Sequence, residues 1–201
     1  HDLLYCQELK GHAMPRPLSP QAWQAMAQQP GKQVRLLLCN GFGAGYGDII
    51  VGSVVVEYLY RRIEAMGKVP RIDFLVHPYS FERERYFDMY KLNPYLNGVH
   101  VTALRLADFL QYDYYESTEF FVKDPLFREQ NNFDYFLGKL GLAGEAIGLE
   151  PQLYPDPKVL AEVKAKCPPD TADPRPLVLV NFFASSLRGV PRFKWAEIVR
   201  E

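Results

Sequence analysis

Short apolar runs alternate along this chain with longer segments that carry an apolar residue every three or four positions. The apolar runs predict strands at 34–39, 71–77 and 99–101, and a further strand beginning at 112–115. The periodic segments predict helices at 19–28, 48–66, 82–90, 104–110, 132–142 and 158–166. Alternation of strands and helices is typical of a parallel sheet flanked by helices, so the sequence predicts an α/β fold.

A glycine-rich stretch at 40–48, Asn-Gly-Phe-Gly-Ala-Gly-Tyr-Gly-Asp, joins the first strand to the longest helix. Glycine lets a ligand approach backbone N–H groups, and the helix directs the positive end of its dipole into the same space. A phosphate-binding P-loop is excluded because Gly47 is followed by Asp48, and the glycine spacing does not fit the dinucleotide fingerprint. Since an acid repels a pyrophosphate, the turn favours hydroxyl groups or a catalytic carboxylate.

Other polar and aromatic side chains follow the predicted strands. Ligands of parallel sheets lie beyond the carboxyl ends of the strands, where the glycine turn and His77 meet. His77 is therefore either close to the site or a strand-end histidine without a functional role. Tyr115, Glu116 and Glu119 fit a sugar pocket, by stacking and hydroxyl bonding, or ordinary packing of an aromatic cluster.

Composition narrows the class of protein. The chain has 201 residues, of which 48% are hydrophobic, and a net charge of −1, so it can bury a core but lacks a basic excess for nucleic acid. Its three cysteines show no paired spacing, which argues against a disulfide framework or a metal site. No apolar run is long enough to cross a bilayer and no signal peptide is evident, so we expect a soluble protein from a reducing compartment.

The order of segments predicts more than one domain. Residues 1–33 form an N-terminal extension, 34–166 the main domain, 167–176 a linker rich in Pro and Asp, and 177–201 the start of a second domain. Because the first residue is His and the last helix looks cut, we expect an excerpt of a longer polypeptide.

The second domain repeats the strand, loop and helix pattern. Its loop carries the hydroxyl and cationic side chains Ser185, Ser186, Arg188, Arg192 and Lys194. Hydroxyls and cations between a strand end and a helix start favour phosphate binding. A solvated basic loop is the alternative.

The order of these parts resembles the family 9 glycosyltransferases, of the ADP-heptose:lipopolysaccharide heptosyltransferase type. The resemblance spans residues 34–201 and rests on Gly47-Asp48-Ile49-Ile50, on Ile72 to Val76, on Leu92-Asn93-Pro94-Tyr95-Leu96, on Tyr112-Asp113 and on Pro176 to Trp195. The chain departs from the family pattern at Gly52-Ser53-Val54, where a Pro is usual, and in the number of glycines in the turn.

The resemblance implies a GT-B fold, with a Rossmann-like acceptor-side domain followed by the first strand-loop-helix of a second Rossmann-like domain. It makes Asp48 the general base that deprotonates the acceptor hydroxyl, although an aspartate at this position can also serve only as a helix cap. It places Gly45, Tyr46, Gly47 and His77 at the acceptor, and Ser185, Ser186, Arg188 and Lys194 at the donor diphosphate. It implies no metal and no cofactor, with the nucleotide-sugar donor as a substrate.

The implied function is an inverting transfer of a heptose-like sugar from a nucleotide sugar to lipopolysaccharide or another cell-surface glycan. The expected location is the cytoplasm, with peripheral contact with the inner membrane surface as a further expectation. We expect the chain as given to be incomplete and inactive. The alternatives are another GT-B enzyme, such as a sugar-nucleotide epimerase or a fucosyltransferase, and a non-catalytic binding module of the same fold.

Overall fold

The computed structural model describes residues 13–39, 42, 46–76, 89–100, 104–117 and 124–166, apart from the side chains of Tyr46, Asp48 and Arg128. Its strands are β1 (Arg16–Pro17), β2 (Gln33–Cys39), β3 (Val69–Leu75), β4 (Gly98–His100) and β5 (Tyr114–Ser117). They form a five-stranded sheet in the order β1-β5-β2-β3-β4, and every adjacent pair is parallel. The predicted α/β, Rossmann-like parallel sheet is therefore confirmed.

Helices join the strands and cover the sheet. They are α1 (Pro20–Gln28), α2 (Tyr46–Ala65), α3 (Leu106–Phe109), α4 (Pro125–Glu129), α5 (Asn132–Lys139) and α6 (Pro157–Lys166). α1 begins where Ser-Pro predicts it, because the Ser19 hydroxyl accepts the Ala22 N–H at 3.1 Å and Pro20 occupies the first turn. The predicted helix at 82–90 lies mostly outside the residues that the structure describes.

One face of the sheet carries the hydrophobic core. The alternate residues of β2 and β3 that point to this face are fully buried, and they pack with apolar residues of α1, α2 and α5. The largest of these fully buried side chains include Met26, Leu36, Leu38, Leu59, Ile63, Phe74 and Phe136. Each such side chain stabilises the fold by about 1.5–3 kcal/mol relative to an exposed position.

The segment that precedes β2 belongs to this core. β1 pairs with β5, placing Arg16 opposite Tyr114, and Trp23 of α1 is 4% exposed. The Trp23 indole N–H donates to the Leu140 carbonyl at 2.7 Å, and the Arg62 guanidinium lies 5.3 Å from the Trp23 ring centroid. The described part of the predicted N-terminal extension therefore shares its packing with α2 and the end of α5.

The opposite face of the sheet is more polar. Arg35 of β2 and Arg71 of β3 are exposed on it, whereas Leu37 is buried on this face outside the main core. α3 covers part of the face, since the Phe109 and Tyr115 rings meet edge to face at 5.4 Å. Among the described elements, the core helices thus occupy one side of the sheet and a charged surface occupies part of the other.

The chain divides into two compact units, the first ending at Val159 and the second beginning at Leu160. Every described residue of the second unit belongs to α6 and is exposed. The predicted linker at 167–176 and the segment 177–201 lie outside the described residues, so those domain boundaries stay predictions.

Candidate functional site

The connection between β2 and α2 starts and ends at the carboxyl edge of the sheet. From β2 the chain continues into β3 on one side, and β5 later pairs with the other side of β2. The strand order therefore changes direction between β2 and β5. Ligands of open parallel sheets bind in the crevice outside such a switch point, which makes this edge the candidate site.

Phe42 anchors the connection to the core. Its side chain is fully buried, and its ring centroid lies 4.9 Å from that of Phe136, with the rings nearly perpendicular at 83°. The ring centroid of Phe74, in β3, lies 5.8 Å from that of Phe42. The one described residue between β2 and α2 is thus held by three-way aromatic packing, which fixes where the chain leaves the strand.

The first turn of α2 brings several of the predicted site residues together. Tyr46, Gly47 and Asp48 are the first three residues of this helix. Gly47 is exposed, and a Cβ built on it would meet no atom within 4 Å. The Asp48 backbone therefore lies at the positive end of the helix dipole, which favours a carboxylate.

Buried contacts hold the next turn of α2 in place. The Tyr90 hydroxyl is buried and donates to the Ile49 carbonyl at 2.9 Å. Beside it, a Cβ at Gly52 would lie 2.7 Å from Phe42 Cδ2 and still closer to the Tyr90 hydroxyl. Gly52 is thus required by packing, which gives a physical reason for a glycine in this turn of α2.

A carboxylate lies at the end of the neighbouring strand β5. Glu116 is opposite Leu38, Ser117 is opposite Cys39, and the Ser117 N–H donates to Glu116 Oε1 at 3.0 Å. Burial raises the pKa of Glu116, against the smaller lowering effects of that N–H and of the Lys139 charge. Glu116 therefore belongs to the candidate edge, whereas Tyr115 packs on Phe109 and Glu119 is outside the described residues.

Six further predicted site residues belong to segments that the structure does not describe. Gly45, His77, Ser185, Ser186, Arg188 and Lys194 all lie outside the described residues. Their proposed roles at the acceptor and at the donor diphosphate therefore stay predictions, as does the role of the Asp48 carboxylate.

A second polar cluster, on the sheet face away from the core, is absent from the sequence predictions. The buried Asp73 of β3 accepts hydrogen bonds from the Tyr112 hydroxyl at 2.8 Å and the Asn97 amide at 3.0 Å. His100 Nε2 lies 3.8 Å from the Asp73 carboxylate. Burial, together with Asp73, raises the pKa of Tyr112. An acid between the buried apolar residues Ile72 and Phe74 of β3 was the available signal.

This cluster forms one wall of a groove with a volume of ≈ 790 Å³, called the polar groove below. Its lining residues are Gln33, Arg35, Arg71, Asp73, Asn97, His100, Leu104, Arg105, Asp108, Gln111 and Tyr112. The polar groove includes the charged residues of the sheet face opposite the core.

The described part of the chain has neither a metal-binding cluster nor a membrane-spanning helix. No group of three or more His, Cys, Asp or Glu side chains is arranged to hold a metal ion there. None of the described helices combines the length and apolar character needed to span a membrane. Comparison with protein-family models, curated proteins and solved structures finds no match to the chain.

Proposed function

We propose that this chain is the acceptor-side lobe of an inverting glycosyltransferase that moves a heptose-like sugar from a nucleotide sugar to lipopolysaccharide or another cell-surface glycan. One observation carries the proposal: Asp48 lies in the first turn of α2, at the switch point of a parallel sheet. Ligands of open parallel sheets bind outside such a switch point, and the positive end of a helix dipole favours a carboxylate in the first turn. The resemblance to family 9 glycosyltransferases supplies the sugar chemistry.

In the proposed reaction, the Asp48 carboxylate removes the proton from an acceptor hydroxyl. The acceptor oxygen forms a bond to the anomeric carbon of the donor while the bond from that carbon to the nucleoside diphosphate breaks, with inversion. The proton ends on Asp48, and the nucleoside diphosphate leaves with the bonding electron pair. A base suited to this step only has to accept a proton that becomes acidic late in the displacement.

The described residues around α2 act as positioning residues in this proposal. The Tyr90 hydroxyl bond to the Ile49 carbonyl and the Phe42 ring beside Gly52 fix the helix immediately after Asp48. A fixed first turn keeps the base at a constant distance from the acceptor, which matters because a displacement of about 1 Å can cost 10²-fold in rate. The donor diphosphate is assigned to Ser185, Ser186, Arg188 and Lys194, whose hydroxyls and cations balance its charge without a metal.

The test is the substitution Asp48→Asn in a protein that contains the complete donor-binding domain. Sugar transfer from a panel of nucleotide sugars to a lipopolysaccharide acceptor should fall by about 10²–10⁴-fold, because the amide cannot take the proton. The matched control is Asp134→Asn, which makes the same change in the first turn of α5. Full transfer activity in Asp48→Asn would rule out the assigned base. Turnover of the donor without any acceptor would instead indicate an epimerase.

A further inference from the structure

Two arginines occupy paired positions on the neighbouring strands β2 and β3. Arg35 of β2 and Arg71 of β3 are register partners, so both side chains project from the sheet face opposite the core, on strands about 4.8 Å apart. Both residues are exposed and both line the polar groove. Like charges placed side by side in this way repel one another, so the pair is favourable only with a counter-charge.

Three other arginines of the same unit contrast with this pair. Arg61, Arg62 and Arg105 lie 2.6, 2.6 and 2.9 Å from the carboxylates of Glu57, Glu145 and Asp108 respectively. No described carboxylate lies within ion-pair distance of the Arg35 or Arg71 guanidinium. Among the described residues neither guanidinium therefore has an ion-pair partner, although the Asp113 carboxylate accepts the Arg35 backbone N–H at 2.8 Å.

Neutral acceptors hold both guanidinium groups. Arg71 Nη1 donates to Asn97 Oδ1 at 2.8 Å, and Arg35 Nη1 donates to the Gln111 carbonyl at 3.3 Å. Such bonds orient a guanidinium without cancelling its charge, and most of its five N–H groups stay free for a ligand. Both guanidinium groups can therefore donate hydrogen bonds to the oxygens of an anion.

The acids of the polar groove are engaged elsewhere. Asp108 pairs with Arg105, and Asp73 accepts from Tyr112 and Asn97. Asp73 also lies two residues further along β3 than Arg71, which is about 6.6 Å at the rise of a strand. An anion at the Arg35 end of the groove therefore lies closer to the two arginines than to the Asp73 carboxylate.

We propose that the polar groove binds a phosphate-bearing ligand, with Arg35 and Arg71 as its phosphate contacts. The groove volume of ≈ 790 Å³ is within the range of about 300–1,000 Å³ for small-molecule sites. The amides of Gln33, Asn97 and Gln111 provide polar contacts for the rest of such a ligand. This site is distinct from the switch-point edge and does not depend on the proposed glycosyl transfer.

Inorganic pyrophosphate is the probe for this site, with binding measured by isothermal titration calorimetry on the whole chain at low salt. Arg35→Gln and Arg71→Gln should each weaken binding about tenfold or more, because each removes a charge-assisted contact. Arg16→Gln is the matched control, since this arginine lies in β1 outside the groove and loses the same charge. It should leave the affinity unchanged.

Lys194→Gln separates this site from the proposed donor loop, which is also expected to bind a diphosphate. Pyrophosphate binding at the groove that persists in Lys194→Gln and weakens about tenfold or more in Arg35→Gln supports the groove. Absence of binding in the wild type, or loss in Lys194→Gln alone, would overturn the proposal, as would equal losses in Arg35→Gln and Arg16→Gln. Removal of the like-charge repulsion predicts no decrease in melting temperature for Arg35→Gln without ligand, so unfolding does not confuse the result.

Vesicle sedimentation distinguishes the two sources of a phosphate group. Sedimentation with phosphatidic acid vesicles but not with neutral phosphatidylcholine vesicles, reduced by Arg71→Gln, assigns a lipid headgroup. Pyrophosphate binding without sedimentation assigns a soluble phosphate compound.

Discussion

At the scale of single residues, Glu116 at the end of β5 is an acid whose charged form is disfavoured by burial. Its carboxylate has one backbone N–H partner, and burial nevertheless raises its pKa. The sequence indicated an acid among aromatic residues, but it did not predict the burial, because that depends on chain segments far from Glu116. The same limit explains why Asp73, with partners at Asn97 and Tyr112, escaped the sequence predictions.

The raised pKa of Glu116 predicts a pH-dependent gain in stability on removing its charge. Because the fold favours the protonated acid, this contribution is complete below the ordinary glutamate pKa of about 4.3 and is lost as pH rises through the higher folded pKa. Glu116→Gln should therefore raise the free energy of unfolding at pH 7 and have little effect at about pH 3.5. Urea unfolding at the two pH values measures this.

The control for Glu116→Gln is Glu129→Gln, at an exposed position in α4. It should change the free energy of unfolding by less than about 0.5 kcal/mol at either pH. A loss of stability at pH 7 in Glu116→Gln, with none in the control, would contradict the assigned effect of burial.

At the scale of elements, the long helix α2 was predictable and its environment was not. Its length and its position between two apolar runs indicated a helix, despite several β-branched residues that disfavour one. The structure shows why those residues are tolerated: positions 52–57 are all buried, so tertiary packing outweighs local propensity. By contrast, β1 has only two residues, Arg16 and Pro17, and no periodicity that could indicate a strand.

The packing of α2 predicts opposite effects for alanine at two helical glycines. Gly52→Ala should destabilise the protein by about 1–3 kcal/mol, because its Cβ would overlap the Phe42 ring and the Tyr90 hydroxyl. Gly138→Ala, in α5, meets no atom within 4 Å and should stabilise by about 0.5–1 kcal/mol. Chemical denaturation of both variants checks the signs. Equal gains at the two positions would show that the Phe42 and Tyr90 side chains yield easily.

At the scale of the whole molecule, one core joins segments from both ends of the first unit. The sequence predicted the parallel sheet from its apolar runs, and it indicated that residues 1–33 are a packing extension ahead of the main domain without showing which elements they pack against. No local pattern shows that α1 packs near the end of α5, since Trp23 and Leu140 are separated by 117 positions.

This shared core predicts that α1 is essential to stability. Trp23→Ala should lower the free energy of unfolding by about 3–5 kcal/mol, since it removes a large buried ring and leaves the Leu140 carbonyl without its donor. Gln24→Ala, at the exposed neighbouring position, should change it by less than about 0.5 kcal/mol. Urea unfolding compares the two. Similar small effects would show that residues 13–28 are a dispensable appendage.

The bond between Trp23 and Leu140 also sets a waiting time during synthesis. A ribosome adds about 5–20 residues per second, so roughly 6–23 s pass between translation of the tryptophan and of its acceptor, 117 positions later. Throughout that interval the Trp23 indole has no Leu140 carbonyl to bind, and β1 lacks its partner β5 until residues 114–117 have been made. Chaperones that shield apolar surface on emerging chains would therefore meet α1 while its apolar side chains still lack part of their native cover.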